Sequence, residues 1–197
     1  MGVLSYIIFL PIIAGVILFA IPERAKAIKA SFTLIISAII LYLAYTLYFF
    51  EAQTLSLQLF RDYSITNSTL HQTLQDTSKY FTLNIDHLSK LMVLFTGIFA
   101  FLISIYSLLY VSSRKQVFHY YSFYLITLGC SIGALLADNL ILFIFFWGIL
   151  GFTLYKLIKS KDEESSAAAK KTLIIIGSSD GIMIIGIAII WQITGTL

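Results

Sequence analysis

"LADNLILFIFFWGILGFTLYKLIK", residues Leu136–Lys159, decides how this chain is read. It is apolar over nearly its whole length, with Asp138 at one end, Lys156 and Lys159 at the other, and a Trp147-Gly148 pair inside. A bilayer-crossing helix needs about 20 consecutive apolar residues. The run from Leu140 to Ile158 has that length, so the stretch reads as a transmembrane helix bounded by an Asp-Asn turn and a lysine anchor.

The rest of the chain has the same character. Of its 197 residues, 59% are hydrophobic and 12% charged. Soluble domains carry about 25% charged residues, so so few charges could not dress a water-facing surface. The composition specifies an all-α integral membrane protein with six helices, at about 3–21, 31–50, 88–111, 118–137, 140–158 and 172–193, in a single membrane domain. The polar segment 51–86 separates the second and third. Within it, alternation at Leu55-Ser56-Leu57-Gln58-Leu59 predicts a short strand or hairpin. Asn67-Ser68-Thr69 matches a glycosylation sequon, but an ordinary polar loop is the simpler reading. The single Cys130 lies in an apolar run and builds no disulfide framework.

Basic residues set the expected orientation. Arg24, Lys26 and Lys29 follow the first apolar run, Arg114 and Lys115 the third, and Lys159, Lys161, Lys170 and Lys171 surround the link after the fifth. These are alternate loops, and the positive-inside rule assigns them to the cytoplasm. Both termini, segment 51–86 and the Asp138-Asn139 turn then face outward. The first run is not a signal peptide on this reading, because its basic residues follow the apolar region instead of preceding it.

Ionisable groups inside a bilayer cost about 2.5–3.5 kcal/mol on insertion scales and mark ion paths or partner contacts. Asp180, eight residues into the last apolar run, is the clearest case; Ser178 and Ser179 offer it a bland way to be satisfied. Gly177 and Gly181 beside it permit close helix packing. Lys171, Lys156 and His119 are further ion-path candidates. Each also has an ordinary reading as an interfacial residue at a helix end. No phosphate-cradling glycine loop, Cys-x-x-Cys pair or cluster of metal ligands occurs, so the sequence implies no catalysis by this chain alone, no cofactor and no nucleic-acid partner.

The motifs resemble those of the antiporter-like subunits of respiratory complex I, Mrp-type cation/proton antiporters and membrane-bound hydrogenases. Asp138, Asn139, Leu140 and Trp147 match that family's A-D-N-L-x(6)-W-E pattern on its fifth helix. Ala168, Ala169, Lys171 and Asp180 match its sixth helix, opened by A-A-x-K with an Asp nine residues after the Lys. Asp86, Leu88 and Ser89 resemble a D-G-L-S start of the third helix, "FLPIIAGVILFAIP" resembles the first, and Gly195-Thr196-Leu197 resembles the linker after the sixth. The resemblance implies a membrane subunit of an energy-coupling complex in a bacterial or archaeal-type cytoplasmic membrane, contributing part of a proton or cation path beside other membrane subunits.

Two departures qualify that expectation. Gly148 stands where the family carries a buried, proton-handling Glu, and glycine holds no proton. The chain also has six helices where family members usually have about fourteen. The resemblance therefore implies a split or truncated subunit, with a further chain supplying the later helices. Its alternative is a degenerate structural paralogue that bridges the membrane arm without pumping. A stand-alone transporter is the weaker third reading, since six helices would make only half of an inverted repeat.

Overall fold

The computed structural model describes residues 3–22, 25–50, 57–58, 82–113, 119–160 and 163–194. Within them lie six helices: α1 (Val3–Ala20), α2 (Lys26–Phe50), α3 (His87–Ser113), α4 (Tyr120–Leu136), α5 (Leu140–Ile158) and α6 (Glu163–Thr194). Two short antiparallel strands, β1 (Leu57–Gln58) and β2 (Thr82–Leu83), pair Leu57 with Leu83 and Gln58 with Thr82. The expected strand around Leu57 is thus present in part. The rest of segment 51–81, including the sequon, lies outside the described residues, as do Arg24, Arg114, Lys115, Lys161 and Gly195–Leu197.

By length and composition, α2, α3, α5 and α6 can cross a membrane, and α1 and α4 are shorter apolar helices. The helices run alternately up and down. At one end of the bundle, Asn84 N–H donates to the Leu136 carbonyl (3.0 Å) and Asp138 N–H to the Thr82 carbonyl (3.1 Å), so the start of α3 and the α4–α5 turn share that end. At the other end, the Phe19 ring of α1 lies 5.0 Å from the His119 ring just before α4.

Several helix contacts close on a glycine. Gly129 of α4 lies so near α1 that an added Cβ would stand 2.5 Å from Ile12 Cγ1 and 2.8 Å from the Ile8 carbonyl oxygen. Gly15 of α1 is likewise pressed against α4, where a Cβ would meet the Ser122 carbonyl oxygen at 2.8 Å. Gly133 of α4 receives the ring of Phe146 from α5. These contacts follow the rule that membrane helices associate through small residues that let backbones approach. The same packing seats α5 against the core and leaves α6 at the margin.

Hydroxyls bind α2, α3 and α4 together. Ser37 and Ser104, both buried, share a hydrogen bond of 2.8 Å between α2 and α3. Tyr121 O–H donates to the Ser107 carbonyl (3.2 Å), and Tyr124 O–H to the Ala100 carbonyl. Lys29, Thr33 and Ser37 follow one another at four-residue spacing along the buried face of α2. Lys29 is only 2% exposed, so it packs inside the bundle rather than lying in the first loop.

Candidate ion-path site

The last helix begins at Glu163, nine residues before Thr172, where the long apolar run starts. Polar residues 163–171 continue the helix because Ser165, Ser166 and the Ala167–Ala169 run extend it without a breaker, and Glu163 and Glu164 sit favourably at its positive N-terminus. Asp180 is therefore the eighteenth residue of a helix of 32, deep in its middle.

The carboxylate of Asp180 has an unexpected partner. Trp147 Nε1–H of α5 donates to Asp180 Oδ1 at 2.8 Å. Its other oxygen, Oδ2, lies 3.7 Å from where a Cβ on Gly151 would stand, one turn along α5. The carboxylate thus lies in a groove of α5 whose floor is Gly151 and whose upper edge is the Trp147 indole. The neighbouring serine takes no part: Ser178 O–H donates to the Ile174 carbonyl (2.7 Å) within its own helix.

That bond also fixes the register of the antiparallel pair α5 and α6. Lys156 stands nine residues beyond Trp147, toward the α5–α6 link, and Lys171 nine residues before Asp180, toward the same link. At 1.5 Å per residue both lysines are about 13.5 Å along the axis from the carboxylate. They share a level near the linked end of the helix pair but do not reach Asp180. Lys156 Nζ instead lies over the rings of Phe152 (5.3 Å) and Tyr155 (5.7 Å), as an anchoring lysine does at an interface. His119 is separate again: it adopts a left-handed backbone (φ 51°) before α4 and packs on Phe19.

The motif residues around the α4–α5 turn have structural work. Asn139 caps α5, its Oδ1 accepting from Ile141 N–H at 2.7 Å. Asp138 Oδ2 accepts from the Thr82 hydroxyl (3.2 Å), which ties the turn to β2. Asp86 is exposed, and its carbonyl accepts from Lys90 N–H (2.9 Å) as α3 begins. Gly148 faces open space, with nothing within 4 Å of an added Cβ. Among the described residues no group of three or more His, Cys, Asp or Glu could hold a metal ion.

Of the candidates named from the sequence, the structure joins Trp147 to Asp180, sets Lys156 and Lys171 level with each other, and leaves His119 apart. Sequence reasoning missed the buried Lys29-Thr33-Ser37 row. Its four-residue spacing was the available signal, a polar stripe on an otherwise apolar helix.

Residues 137–197 match the family described as NADH:quinone oxidoreductase/Mrp antiporter, transmembrane. Na(+)/H(+) antiporter subunit A1 of Staphylococcus saprophyticus is 28% identical over 116 residues, 58% of this chain and 14% of that protein. The corresponding subunit of Staphylococcus haemolyticus is 31% identical over 117 residues, with the same coverage. The chain therefore aligns with about one-seventh of the length of these relatives. A chain of the membrane-bound sulfane sulfur reductase, an archaeal respiratory membrane complex, has the same fold over all of this chain and 29% of its own, with a TM-score of 0.75 at 21% identity. Residues 137–197 are thus similar to that transmembrane family, and the six-helix order of the chain is shared with a chain of an archaeal respiratory membrane complex.

Proposed function

We propose that this chain contributes part of a proton or cation path to a multi-subunit energy-coupling complex of the cytoplasmic membrane. The observation that carries the proposal is the carboxylate of Asp180, midway along α6, the least covered of the described candidate spans, and hydrogen-bonded to Trp147 of α5. A carboxylate held at that depth is expensive unless it moves charge or meets a partner. Asp180 is the titrating group of the path, and Lys171, about 13.5 Å inward along the same helix, is a relay on its cytoplasmic side. Lys156 shares that level from α5, and His119 belongs to the same cytoplasmic end without touching the path. Both termini face outward. Other membrane subunits lie beside it in the complex, and any redox chemistry belongs to those partners.

Gly148 favours a second reading, a structural paralogue that bridges a membrane arm without pumping. The two readings separate in vesicles containing the assembled complex at matched levels. On the ion-path reading, Asp180→Asn keeps size and assembly but removes the titrating proton, so gradient formation falls at least severalfold. Lys171→Met acts in the same direction. Unchanged pumping in both variants would leave the structural reading in place.

A further inference from the structure

Helix α6 packs extensively on α5 alone among the described helices, and of its 32 residues only Ala169 is buried. Few contacts therefore hold it at the level of Asp180. The floor there is Gly151 of α5, where a Cβ would stand 3.6 Å from Ile176 Cγ2 and 3.7 Å from Asp180 Oδ2, in ordinary contact with both. Gly177 and Gly181 lie before and after Asp180, and added Cβ atoms on them would meet nothing within 4 Å. Neither flank of the carboxylate is clamped against a neighbour.

The directional contact at this level is the hydrogen bond from Trp147 Nε1–H to Asp180 Oδ1. The indole is itself held in place: it stacks on Phe143, one turn back along α5, with ring centroids 5.4 Å apart and planes 26° from parallel. An indole N–H only donates, so the bond depends on what the carboxyl offers. A carboxylate offers a full negative charge, and a charge-assisted hydrogen bond is about twice as strong as a neutral one. Protonation of Asp180 removes that charge and leaves a weaker bond on a helix with little else to hold it. The neighbouring ionisable groups are Asp138, Tyr155 and Lys156, eight or nine residues from Trp147, and Lys171, nine residues from Asp180. At 1.5 Å per residue they stand about 12–13.5 Å away along the helix axes. The strength of the contact at this level therefore follows the charge of Asp180.

We infer that Trp147 is a latch for α6: it holds the helix in register on α5 while Asp180 is ionised and releases it when Asp180 takes a proton. The inference rests on the proposed role of Asp180 as a titrating group, and it couples that charge to movement of a helix. Trp147 is a positioning residue, since it acts through Asp180. Shifts of packed helices are about 1–2 Å, and the glycine floor lets α6 make one with no side chain of Gly151 in its way.

The test follows helix position and protonation together, in the full chain in lipid vesicles. Phe145 and Ile182 are exposed, and each lies two residues from the Trp147–Asp180 pair on its own helix. Phe145→Cys and Ile182→Cys, in a Cys130→Ala background, carry spin labels whose separation is measured across a pH series. Infrared difference spectra over the same series follow the carboxyl band that Asp180→Asn removes. The separation should be narrowly distributed while Asp180 is ionised, and should shift by about 2 Å or broaden as the band reports protonation. Asp180→Asn should show the released separation at every pH. Trp147→Phe keeps a ring to stack on Phe143 but has no donor, and should do the same. If Trp147→Phe fails to fold, the parent pH series and Asp180→Asn still decide. A carboxyl band that titrates while the separation stays fixed would overturn the latch and leave the proposed function standing. A Trp147→Phe chain that keeps the parent separation and its pH dependence would do likewise. Spectra with no titrating band that depends on Asp180 would remove the titrating group, and both readings with it.

Discussion

Gly129→Ala adds one methyl group at the tightest helix contact in the bundle, and the structure supplies its cost. The new Cβ would lie 2.5 Å from Ile12 Cγ1, 2.8 Å from the Ile8 carbonyl oxygen and 3.1 Å from Pro11 Cγ. An ordinary contact begins at 3.4 Å, so Ile12 must retreat by about 0.9 Å and the Ile8 backbone by about 0.6 Å. A rotamer change relieves the first clash but not the second, because a carbonyl moves only with its helix. Overpacking of this kind costs about 1–3 kcal/mol. Against it stands the gain of about 1 kcal/mol for replacing glycine by alanine within a helix. Gly148→Ala separates the two effects, since it carries the same propensity gain with nothing within 4 Å of the new atom. The difference between the variants is therefore the packing term alone, with Gly129→Ala less stable than Gly148→Ala by about 1–3 kcal/mol. Reversible unfolding of the purified chain in mixed detergent micelles measures it. Equal stabilities would refute the close approach of α1 and α4, and with it the packing that seats α5.

Ser37→Ala should weaken the α2–α3 contact by about 0.6 kcal/mol and by no more than about 1.7. In a double-mutant cycle with Ser104→Ala the second substitution should then cost almost nothing, and full additivity would show that the hydroxyl pair contributes no coupling. Impermeant thiol labelling in a Cys130→Ala background should modify a cysteine placed between Asn67 and Thr73 and spare one at Ser165; the opposite pattern would reverse the proposed orientation.

Some of this protein was legible without coordinates, for one physical reason. Lipid cannot hydrogen-bond a backbone, so a run of about 20 apolar residues such as Leu140–Ile158 has helix as its available form. Capping is equally local: Asn139 satisfies an amide two residues ahead, and its place before the apolar run announces the start of α5. The cost of a carboxylate at Asp180 could also be read directly, because it is set by its immediate neighbours, Ile174–Ile176 and Ile182–Ile185. What satisfies that carboxylate could not. Ser178 and Ser179 were nearer in sequence, yet Trp147, 33 residues away, is the donor, because Gly151 lets α6 lie close enough to α5 for the indole to reach. The length of α6 likewise depended on context, since polar residues 163–171 carry no apolar run, but an Ala-rich turn extends a helix already nucleated by the membrane. Burial of Lys29 and the Ser37–Ser104 bond belong to the same class. Periodicity assigns a residue to a face of its own helix, and only the packing of α2 against α3 and α4 decides whether that face meets lipid, water or protein.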